Sequence, residues 1–279
     1  MSDVRIVEED LRYKFYHGDT FALAYNKGHL GWGDFRMSRP NFYPVLTPAG
    51  HQVTTSSAYR YNHHKSVFLG HANVNGVNFF HDNNPTRDNL GDIRLDEADV
   101  CTTEGAVSIC SQNTWVTKDG VELLTERRDV TWRPDDVAHV LDVSSAVTSR
   151  VGDVTFGKDT HSYFGVRVAD SMDVEDGGRV INSHGHRDEA EAMGQHAEWV
   201  DYSGLVAGEP VGVTLIPHAD NPPSPFFVRN YGTMLSNFTL HEPYTLSDGD
   251  TLTQRFRLVI HDGWGEDLDI DAYHAEFVL

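Results

Sequence analysis

Most of the chain alternates apolar and polar residues with a period of two, which is the spacing of strands that bury one face. Turn residues recur about every ten positions, so the strands are long and follow one another as antiparallel neighbours. Examples are "LRYKFYHGDTFALAYN", "NTWVTKDGVELLTERRDVTW" and "TLTQRFRLVIHDG". In the second of these, Asp119 and Gly120 supply the positive φ of a tight hairpin. The pattern predicts an all-β fold, a large antiparallel two-sheet β-sandwich, because strands of this length suit a sandwich better than a small barrel.

Two segments depart from this alternation and favour helix. They are "HRDEAEAMGQHAEWV" from His186 and the tail "GEDLDIDAYHAEFVL" from Gly265, and each is acidic near its start, as the helix dipole prefers. No Gly-Ser or Pro-rich linker divides the chain, and 279 residues with 39% hydrophobic content can bury one large core. We therefore expect residues 1–279 to form a single β-sandwich domain with one or two short helices.

Acidic residues outnumber basic ones by 42 to 22, which gives a formal net charge of -20. Such a surface repels phosphate backbones and anionic membranes, so we expect neither a nucleic acid nor a membrane as a partner. The start "MSDVRIVEED" lacks the basic and apolar regions of a signal peptide, and no stretch approaches the roughly 18 apolar residues of a membrane span. These features predict a cytoplasmic protein, and they leave both a monomer and a homo-oligomer open.

Familiar catalytic and cofactor motifs are missing from the sequence. There is no HExxH pair, no cysteine ligand set, no GxSxG elbow, no GxGxxG after a strand and no P-loop. Cys101 and Cys110 lack the CxxC spacing of a zinc or redox site, and we expect free buried thiols rather than a disulfide across a hairpin. The spacing thus assigns no cofactor and no metal ligands, and a divalent metal held by histidines stays open as an alternative.

Histidines are concentrated in "YNHHKSVFLGHANVNGVNFF", residues 61–80. In an extended strand His63 and His64 face opposite sides, and His63 and His71 lie about 26 Å apart, so a regular strand brings no two of them to one metal ion. We expect one of His63 and His64 to face a cleft and the other to face the core or a second layer. His71 and Asn75 would reach that cleft only through a turn at Gly70 or Gly76.

Charged residues on three predicted strands are candidates for binding or catalysis. Glu126 shares one face of its strand with an arginine and apolar residues, so the two charges either line a ligand cleft or form a solvated ion pair on an outer face. Arg229 lies between Phe227 and Tyr231 on one face, and Arg167 also follows aromatic residues. An arginine beside aromatic rings suits recognition of a polyhydroxylated or anionic ligand, or it packs its aliphatic stem at a sheet edge.

An ordered series of motifs resembles one known family. The motifs are "RPNFYPVLTPAGHQVT", "NHHKSVFLGHANVNGVNFF", "LLTERRDVTW", "VTFGKDTHSYFGVRVAD", "EWVDYSG", "NPPSPFFVRNYG" and "RLVIHDG", and they cover roughly residues 36–263. The family is the soluble family of unknown function often labelled "PmoA-like" or "methane oxygenase". The label does not describe an activity of this chain, because a membrane oxygenase subunit needs transmembrane helices and the sequence has none.

The resemblance implies a galactose-mutarotase-like supersandwich with a shared carbohydrate cleft. The positions that match the family's pattern, and that would line this cleft, are Arg39, His63, His64, His71, Asn75, Glu126, Arg167, Trp199, Asp201, Tyr202, Asn221, Arg229 and Tyr231. Lys65 and His161 depart from the pattern, so the resemblance assigns no role to either.

We therefore predict a carbohydrate-active enzyme that uses acid/base chemistry on a sugar or keto-sugar derivative, as a lyase, hydrolase or epimerase. His63 or His64 would exchange protons, and Glu126 would be the second catalytic group. Arg167 and Arg229 would hold substrate oxygens, and Trp199 and Tyr231 would be stacking walls. The other matched positions would bind the substrate. Two alternatives stay open: a non-catalytic sugar-binding module or accessory subunit of a sugar oxidoreductase, and a metal-dependent lyase or oxygenase with histidine ligands.

The acidic, lysine-poor composition also predicts adaptation to high salt, since screening removes the self-repulsion of a highly charged surface. We expect the melting temperature to rise between low and molar salt. Thermal melts followed by circular dichroism across this range measure the effect. A melting temperature that stays constant or falls would count against a halophilic source.

Overall fold

The computed structural model of the protein describes residues 4–28, 37–58, 61–81, 87–135 and 137–279. The first large sheet has the strand order β1 (Val4–Glu8), β2 (Arg12–His17), β3 (Thr20–Asn26), β4 (Asn41–Val45), β7 (Val67–His71), β13 (Ser162–Arg167), β18 (Thr233–Ser236) and β17 (Phe226–Arg229). The second has the order β14 (Arg179–Asn182), β15 (Val200–Val206), β16 (Glu209–Pro217), β20 (Thr251–Asp262), β11 (Ala138–Ser149), β10 (Glu122–Pro134), β9 (Ala106–Thr117) and β8 (Gly91–Thr103).

Smaller elements complete the described part of the chain. Two small sheets pair β5 (Ser56–Ala58) with β6 (Tyr61–Lys65) and β12 (Val154–Phe156) with β19 (Tyr244–Leu246). The α-helices are α1 (Asp188–Ala192) and α2 (Ile270–Val278), and short 3-10 helices cover Asp170–Met172, Val174–Asp176 and Gly265–Asp267. Each pairing between these strands is antiparallel, as the alternating pattern predicted.

The two large sheets pack face to face around an apolar core. Phe164 of the first sheet stacks on Phe256 of the second with ring centroids 4.5 Å apart, and Phe15 meets Trp132 edge to face at 5.9 Å. All four side chains are buried. Along β10, buried and less buried residues alternate from Leu124 to Trp132, so the period of two is the local reason for this packing. The predicted two-sheet β-sandwich is confirmed.

An ion pair lies inside this core, on the inner face of β10. Glu126 is fully buried, and its two oxygens accept from Nε and Nη2 of Arg128 at 2.8 and 2.9 Å. Trp115 Nε1 and Ser145 Oγ donate to the same carboxylate at 2.9 and 2.7 Å, and Arg128 also donates to the hydroxyl of Tyr25 at 3.3 Å. Burial opposes the charge of Arg128, but the carboxylate outweighs burial and raises the pKa of the guanidinium. The sequence placed Glu126 in a cleft or on an outer face, whereas the structure places it between the sheets.

Several local predictions can be compared directly with the structure. The two helices lie within the two segments predicted to favour helix. The predicted hairpin joins β9 to β10, with Gly120 at a φ of 89°. Cys101 and Cys110 are free, as predicted, but neither is fully buried, because Cys101 is exposed and Cys110 is partly buried. Over the described ranges, we find no helix with the length and apolar character needed to cross a membrane.

Replacing one partner of the buried ion pair tests its structural role. Glu126→Gln would leave Arg128 charged and unpaired in the core, so we expect the free energy of unfolding to fall by about 3–5 kcal/mol. Chemical denaturation followed by tryptophan fluorescence measures this loss. The double variant Glu126→Leu/Arg128→Met removes both charges and should lose less stability. A Glu126→Gln protein as stable as the parent would show that the pair does not support the core.

Candidate functional site

Three histidines from separate segments converge beside the first sheet. His63 lies in β6, His81 lies ten residues beyond the end of β7, and His161 directly precedes β13. One ring nitrogen of each histidine lies within 4.8 Å of the others. The pairing of β7 with β13 contributes to this meeting, because the backbone N–H of Ala72 donates to the His161 carbonyl at 3.0 Å. The result is a compact group of nitrogen ligands that we call the histidine cluster.

Each ring of the histidine cluster has a different second contact. The Nδ1 atom of His161 lies 2.9 Å from Oδ1 of Asp159, which also accepts the backbone N–H of His161 at 2.8 Å. The Nδ1 atom of His81 lies 3.1 Å from the side-chain nitrogen of Asn78. The Nε2 atom of His63 is buried and has no hydrogen-bond partner among the described residues. Two rings are thus held by polar neighbours, while the third presents a vacant nitrogen.

Burial keeps the rings of His63 and His81 neutral at neutral pH. Together with repulsion from protonated neighbours and from Arg39, it lowers the pKa of His63 to about 3 and that of His81 to about 2. Burial opposes ionisation of Asp159, but hydrogen bonds from His161 outweigh it and hold the pKa of the carboxyl below its ordinary value. The site therefore offers neutral imidazoles beside one carboxylate, and neutral imidazole is the form that binds a metal ion.

Arg39 joins two of the segments that supply the histidine cluster. Its side chain is fully buried, Nη2 donates to the His63 carbonyl at 2.9 Å, and Nη1 donates to the Phe80 carbonyl at 2.5 Å. The guanidinium carbon also lies 5.1 Å from the ring centroid of Phe68 and 5.3 Å from that of Phe80. Because His81 follows Phe80 in the chain, these contacts hold His63 and His81 in position.

A compact group of aromatic rings, which we call the aromatic group, adjoins the histidine cluster and consists of His64, Tyr61 and Tyr231. The rings of His63 and His64 have centroids 4.5 Å apart, His64 stacks on Tyr61 at 5.1 Å, and Tyr61 stacks on Tyr231 at 4.4 Å. The Nδ1 atom of His64 lies 3.2 Å from the hydroxyl of Thr233, and burial holds the pKa of this ring well below its ordinary value. The two neighbouring histidines therefore have different surroundings, with His63 in the histidine cluster and His64 in the aromatic group.

Two arginines lie beside Tyr231 of the aromatic group. The guanidinium carbons of Arg229 and Arg167 lie 5.4 and 5.7 Å from the ring centroid of Tyr231. Arg229 pairs with Glu189 at 2.8 Å, and Arg167 donates to Asp170 at 2.7 Å. The predicted alignment of Arg229 with aromatic rings is confirmed. Of the residues predicted from the sequence, the structure connects the following through these contacts: Arg39, His63, His64, Arg167, Arg229 and Tyr231.

A family model matches residues 12–275, which include the histidine cluster, the aromatic rings beside it and the two arginines. The chain belongs to the "Family of unknown function (DUF6807)". The predicted membership of a family of unknown function is confirmed to this extent, while the match does not address the "PmoA-like" label. A comparison with curated proteins found no match.

Solved structures similar to this DUF6807 chain share little sequence identity with it. A galactose mutarotase-like protein from Lactobacillus casei ATCC 334 is 9% identical with a TM-score of 0.39, and the match covers 93% of this chain and 100% of that one. A galactose mutarotase related enzyme from Lactobacillus acidophilus is 8% identical with a TM-score of 0.40, covering 94% and 99%. A 4-alpha-glucanotransferase from Thermococcus litoralis is 8% identical with a TM-score of 0.37, covering 92% and 39%. At these values the likenesses carry no argument about activity.

Two of the predicted binding residues of this DUF6807 chain lie in buried hydrogen-bond networks of β15. The Asp201 carboxylate accepts from Thr214 Oγ1 at 2.8 Å and from Ser203 Oγ, and it lies 3.0 Å from Nε2 of His261. The hydroxyl of Tyr202 donates to a backbone carbonyl at 2.8 Å. Both side chains are buried, so their polar atoms bind within the protein.

Trp199 and Asn221 have partners away from the histidine cluster. Trp199 Nε1 donates to Asp271 in α2 at 2.8 Å, and the Asn221 side chain donates to the Arg255 carbonyl at 2.8 Å. Asn221 also borders a separate surface cavity of about 280 Å³. The other polar residues that line this cavity include His184, His196, Glu198, His218 and His274.

His71 is the last residue of β7 and Asn75 lies on the segment that follows, but neither belongs to the histidine cluster as the structure describes it. The His71 ring is buried, with Nε2 2.9 Å from the hydroxyl of Thr239 and Nδ1 accepting a backbone N–H at 2.9 Å. Asn75 occupies a tight turn at a φ of 49°, and its Oδ1 accepts the backbone N–H of Thr155 at 2.8 Å. The expected turn exists at Gly76, yet it does not carry either side chain to the cluster.

Sequence reasoning missed His81 and assigned no role to His161. Strand geometry predicted that a regular strand brings no two histidines of residues 61–80 to one metal ion, and only His63 of that stretch enters the cluster. His81 comes directly after the aromatic pair that closes the stretch, which is the one linear signal for it. For His161, the aspartate two positions earlier in "KDTHSYFG" was the available signal, since it provides the Asp159 contact.

The placement of His71 predicts how stability depends on pH. Burial lowers the pKa of His71 from 6.5 to about 3, so between these values the unfolded chain binds a proton that the folded chain does not. Stability from this residue is therefore present above pH 6.5 and is lost as the pH falls. For one such group the loss between pH 7 and pH 4 is about 3 kcal/mol.

We expect His71→Gln to flatten the pH dependence by about this amount, because a glutamine does not titrate. Urea denaturation of both proteins at pH 7, 5 and 4 measures the difference in slope. Parallel pH profiles for the parent and the variant would contradict a buried neutral His71.

Proposed function

We propose that this protein is a metal-dependent enzyme acting on a sugar or keto-sugar derivative, with His63, His81 and His161 as ligands of a divalent cation. The convergence of three ring nitrogens within 4.8 Å carries the proposal. Ligand nitrogens at bond lengths of 2.0–2.1 Å lie about 3.3 Å apart in a tetrahedral site, so small ring movements would close the cluster around an ion. Three protein ligands leave a fourth position for a substrate oxygen or water, as in catalytic zinc sites.

The contacts around the rings support ligand roles. Asp159 accepts from Nδ1 of His161, an arrangement that fixes the tautomer with Nε2 available and makes the ring a better ligand. Nδ1 of His81 lies 3.1 Å from the side-chain nitrogen of Asn78 and 3.4 Å from its side-chain oxygen, and donation to that oxygen is the arrangement that leaves Nε2 of His81 free to bind an ion. A buried nitrogen without a partner, such as Nε2 of His63, costs about 1–3 kcal/mol, and binding an ion would remove that cost.

The low pKa values of His63 and His81 favour a bound metal ion over a free histidine as the source of acid/base chemistry. An effective general acid or base has a pKa near the working pH, whereas His63 and His81 have values of about 3 and 2. Rings of this kind stay neutral and bind a cation without first releasing a proton. A bound divalent ion polarises a carbonyl or lowers the pKa of a coordinated water to about 7.

The aromatic group supports a sugar as the substrate. Tyr61 and Tyr231 are half-buried, and flat rings of this kind pack against the apolar faces of a sugar. The ring of Tyr61 has its centroid 6.1 Å from that of His63, so a sugar placed on the tyrosines lies next to the proposed ion. In this arrangement a keto oxygen would face the histidine cluster, and elimination or epimerisation next to the carbonyl is the chemistry that the site suits.

Metal titration of the chelator-stripped protein tests the proposal. We expect one Zn²⁺, Co²⁺ or Mn²⁺ ion per chain by calorimetry and elemental analysis. His63→Ala, His81→Ala and His161→Ala should each weaken binding by about 100-fold or more, because each removes one ligand. Asp159→Asn should weaken it by about 10–100-fold, since it alters the orientation and basicity of His161.

His241→Ala is the matched control, because His241 is exposed and lies outside the cluster. It should bind the ion as tightly as the parent, and the ion should be required for turnover of a keto-sugar panel. A parent protein that binds no stoichiometric ion would overturn the proposal. Sugar binding without turnover by any metal-loaded preparation would instead favour a binding module.

A further inference from the structure

Arg167 has donors that the described residues do not satisfy. The residue is 5% exposed, and its Nε and Nη1 atoms are buried without a hydrogen-bond partner in the described ranges. Only Nη2 has an acceptor there, Oδ1 of Asp170 at 2.7 Å. Native proteins leave few buried polar groups unpaired, and a cationic one is especially costly. Two unpaired nitrogens on one buried guanidinium therefore point to a ligand that supplies acceptors.

Arg229 adds a second cation at the same place. Its guanidinium shares the ring of Tyr231 with Arg167, and its Nε is also buried and unpaired among the residues that the structure describes. The side chain of Arg229 is 37% exposed, and Tyr61 and Tyr231 are half-buried, so solvent reaches the pair of arginines at Arg229.

The charges around the two arginines indicate the sign of the charge on the ligand that they bind. Asp170 and Glu189 each pair with one arginine, but the Asp170 side chain is 61% exposed and remains largely hydrated. Carboxylates that are free to solvate can yield to a better-placed anion. Elsewhere, the net charge of -20 repels anions from the protein surface, so two guanidiniums that keep unpaired buried nitrogens form a local exception.

The distance from the histidine cluster suits one small molecule. The centroid of Tyr61 lies 4.4 Å from that of Tyr231 and 5.1 Å from that of His64, and Tyr231 lies 6.3 Å from His64, so the three rings form one compact group. Since His64 touches His63, a ligand bound at this group lies between the arginines beside Tyr231 and the histidine cluster. We propose that Arg167 and Arg229 bind a carboxylate of the substrate, which makes the substrate a sugar acid rather than a neutral sugar. This inference rests on the proposed function for its sugar component.

Binding of matched neutral and anionic sugars tests the proposal. Glucuronate and glucose differ at one carbon, and we expect the parent protein to bind glucuronate at least about 10-fold more tightly, as charge-assisted hydrogen bonds imply. Isothermal titration at fixed ionic strength measures both affinities. Each titration is done twice, once with metal-free protein and once with protein loaded with Zn²⁺. Glucose 6-phosphate is included because a phosphate uses the same arginine chemistry.

Three variants separate the arginine site from overall charge. Arg229→Gln should lose the preference for glucuronate, and Arg167→Lys should weaken it, because an ammonium cannot reproduce the guanidinium geometry. Arg127→Gln is the control, since Arg127 is exposed on β10 and its loss changes the net charge equally. If Arg167→Lys does not fold, Arg229→Gln still decides the question.

Equal affinity for glucuronate and glucose, binding of neither by the parent, or a preference that survives in Arg229→Gln would overturn the proposal. Tighter binding of glucose 6-phosphate than of glucuronate would replace the carboxylate by a phosphate and would also contradict it. The two proposals fail separately. Zinc binding without a glucuronate preference refutes only the arginine site, and a glucuronate preference without zinc binding refutes only the metal centre.

Discussion

The buried guanidinium of Arg39 donates to backbone carbonyls in two segments that carry ligands of the proposed metal centre. Backbone contacts of this kind fix the main chain at His63 and next to His81, so the two rings have little freedom to separate. The same positive charge lowers the pKa of both histidines, after the larger effects of burial and of neighbouring rings. Close packing at Gly70 supports this arrangement, because a Cβ there would lie 2.5 Å from the Phe79 carbonyl oxygen. Arg39 thus fixes the position of two of the three ligand segments and adds to the effect of burial on His63 and His81.

The protein contains two kinds of buried polar group. In the core, Glu126 and Arg128 satisfy each other, and Trp115 and Ser145 complete the carboxylate shell. Near the histidine cluster, His63 and Arg167 keep nitrogens without partners among the described residues. A satisfied pair stabilises a unique packing, whereas unsatisfied groups lower stability until a ligand arrives. This contrast distinguishes the structural charges of the sandwich from those that we assign to binding.

The sequence was sufficient for the architecture and only partly sufficient for the site. Alternation along β10 predicted which residues share a face, and the acidic segments near Asp188 and Ile270 contain the helices. Periodicity does not say which face is covered by a second sheet, so Glu126 was expected in a cleft. The histidine cluster depends on strand pairing between distant segments, and linear spacing carries no information about His81 meeting His161. The alignment of Arg229 with aromatic rings could be predicted from the sequence, because Arg229 and both rings belong to one strand and the turn that follows it.

The central claim is that His63, His81 and His161 bind one divalent ion, and X-ray absorption at the zinc edge tests it most directly. The account predicts a zinc-loaded protein whose first shell contains three imidazole nitrogens at about 2.0–2.1 Å. His81→Ala should lose one of these nitrogens while the control His241→Ala keeps all three. A first shell of oxygen atoms only, or an imidazole count that is unchanged in His81→Ala, would contradict the account.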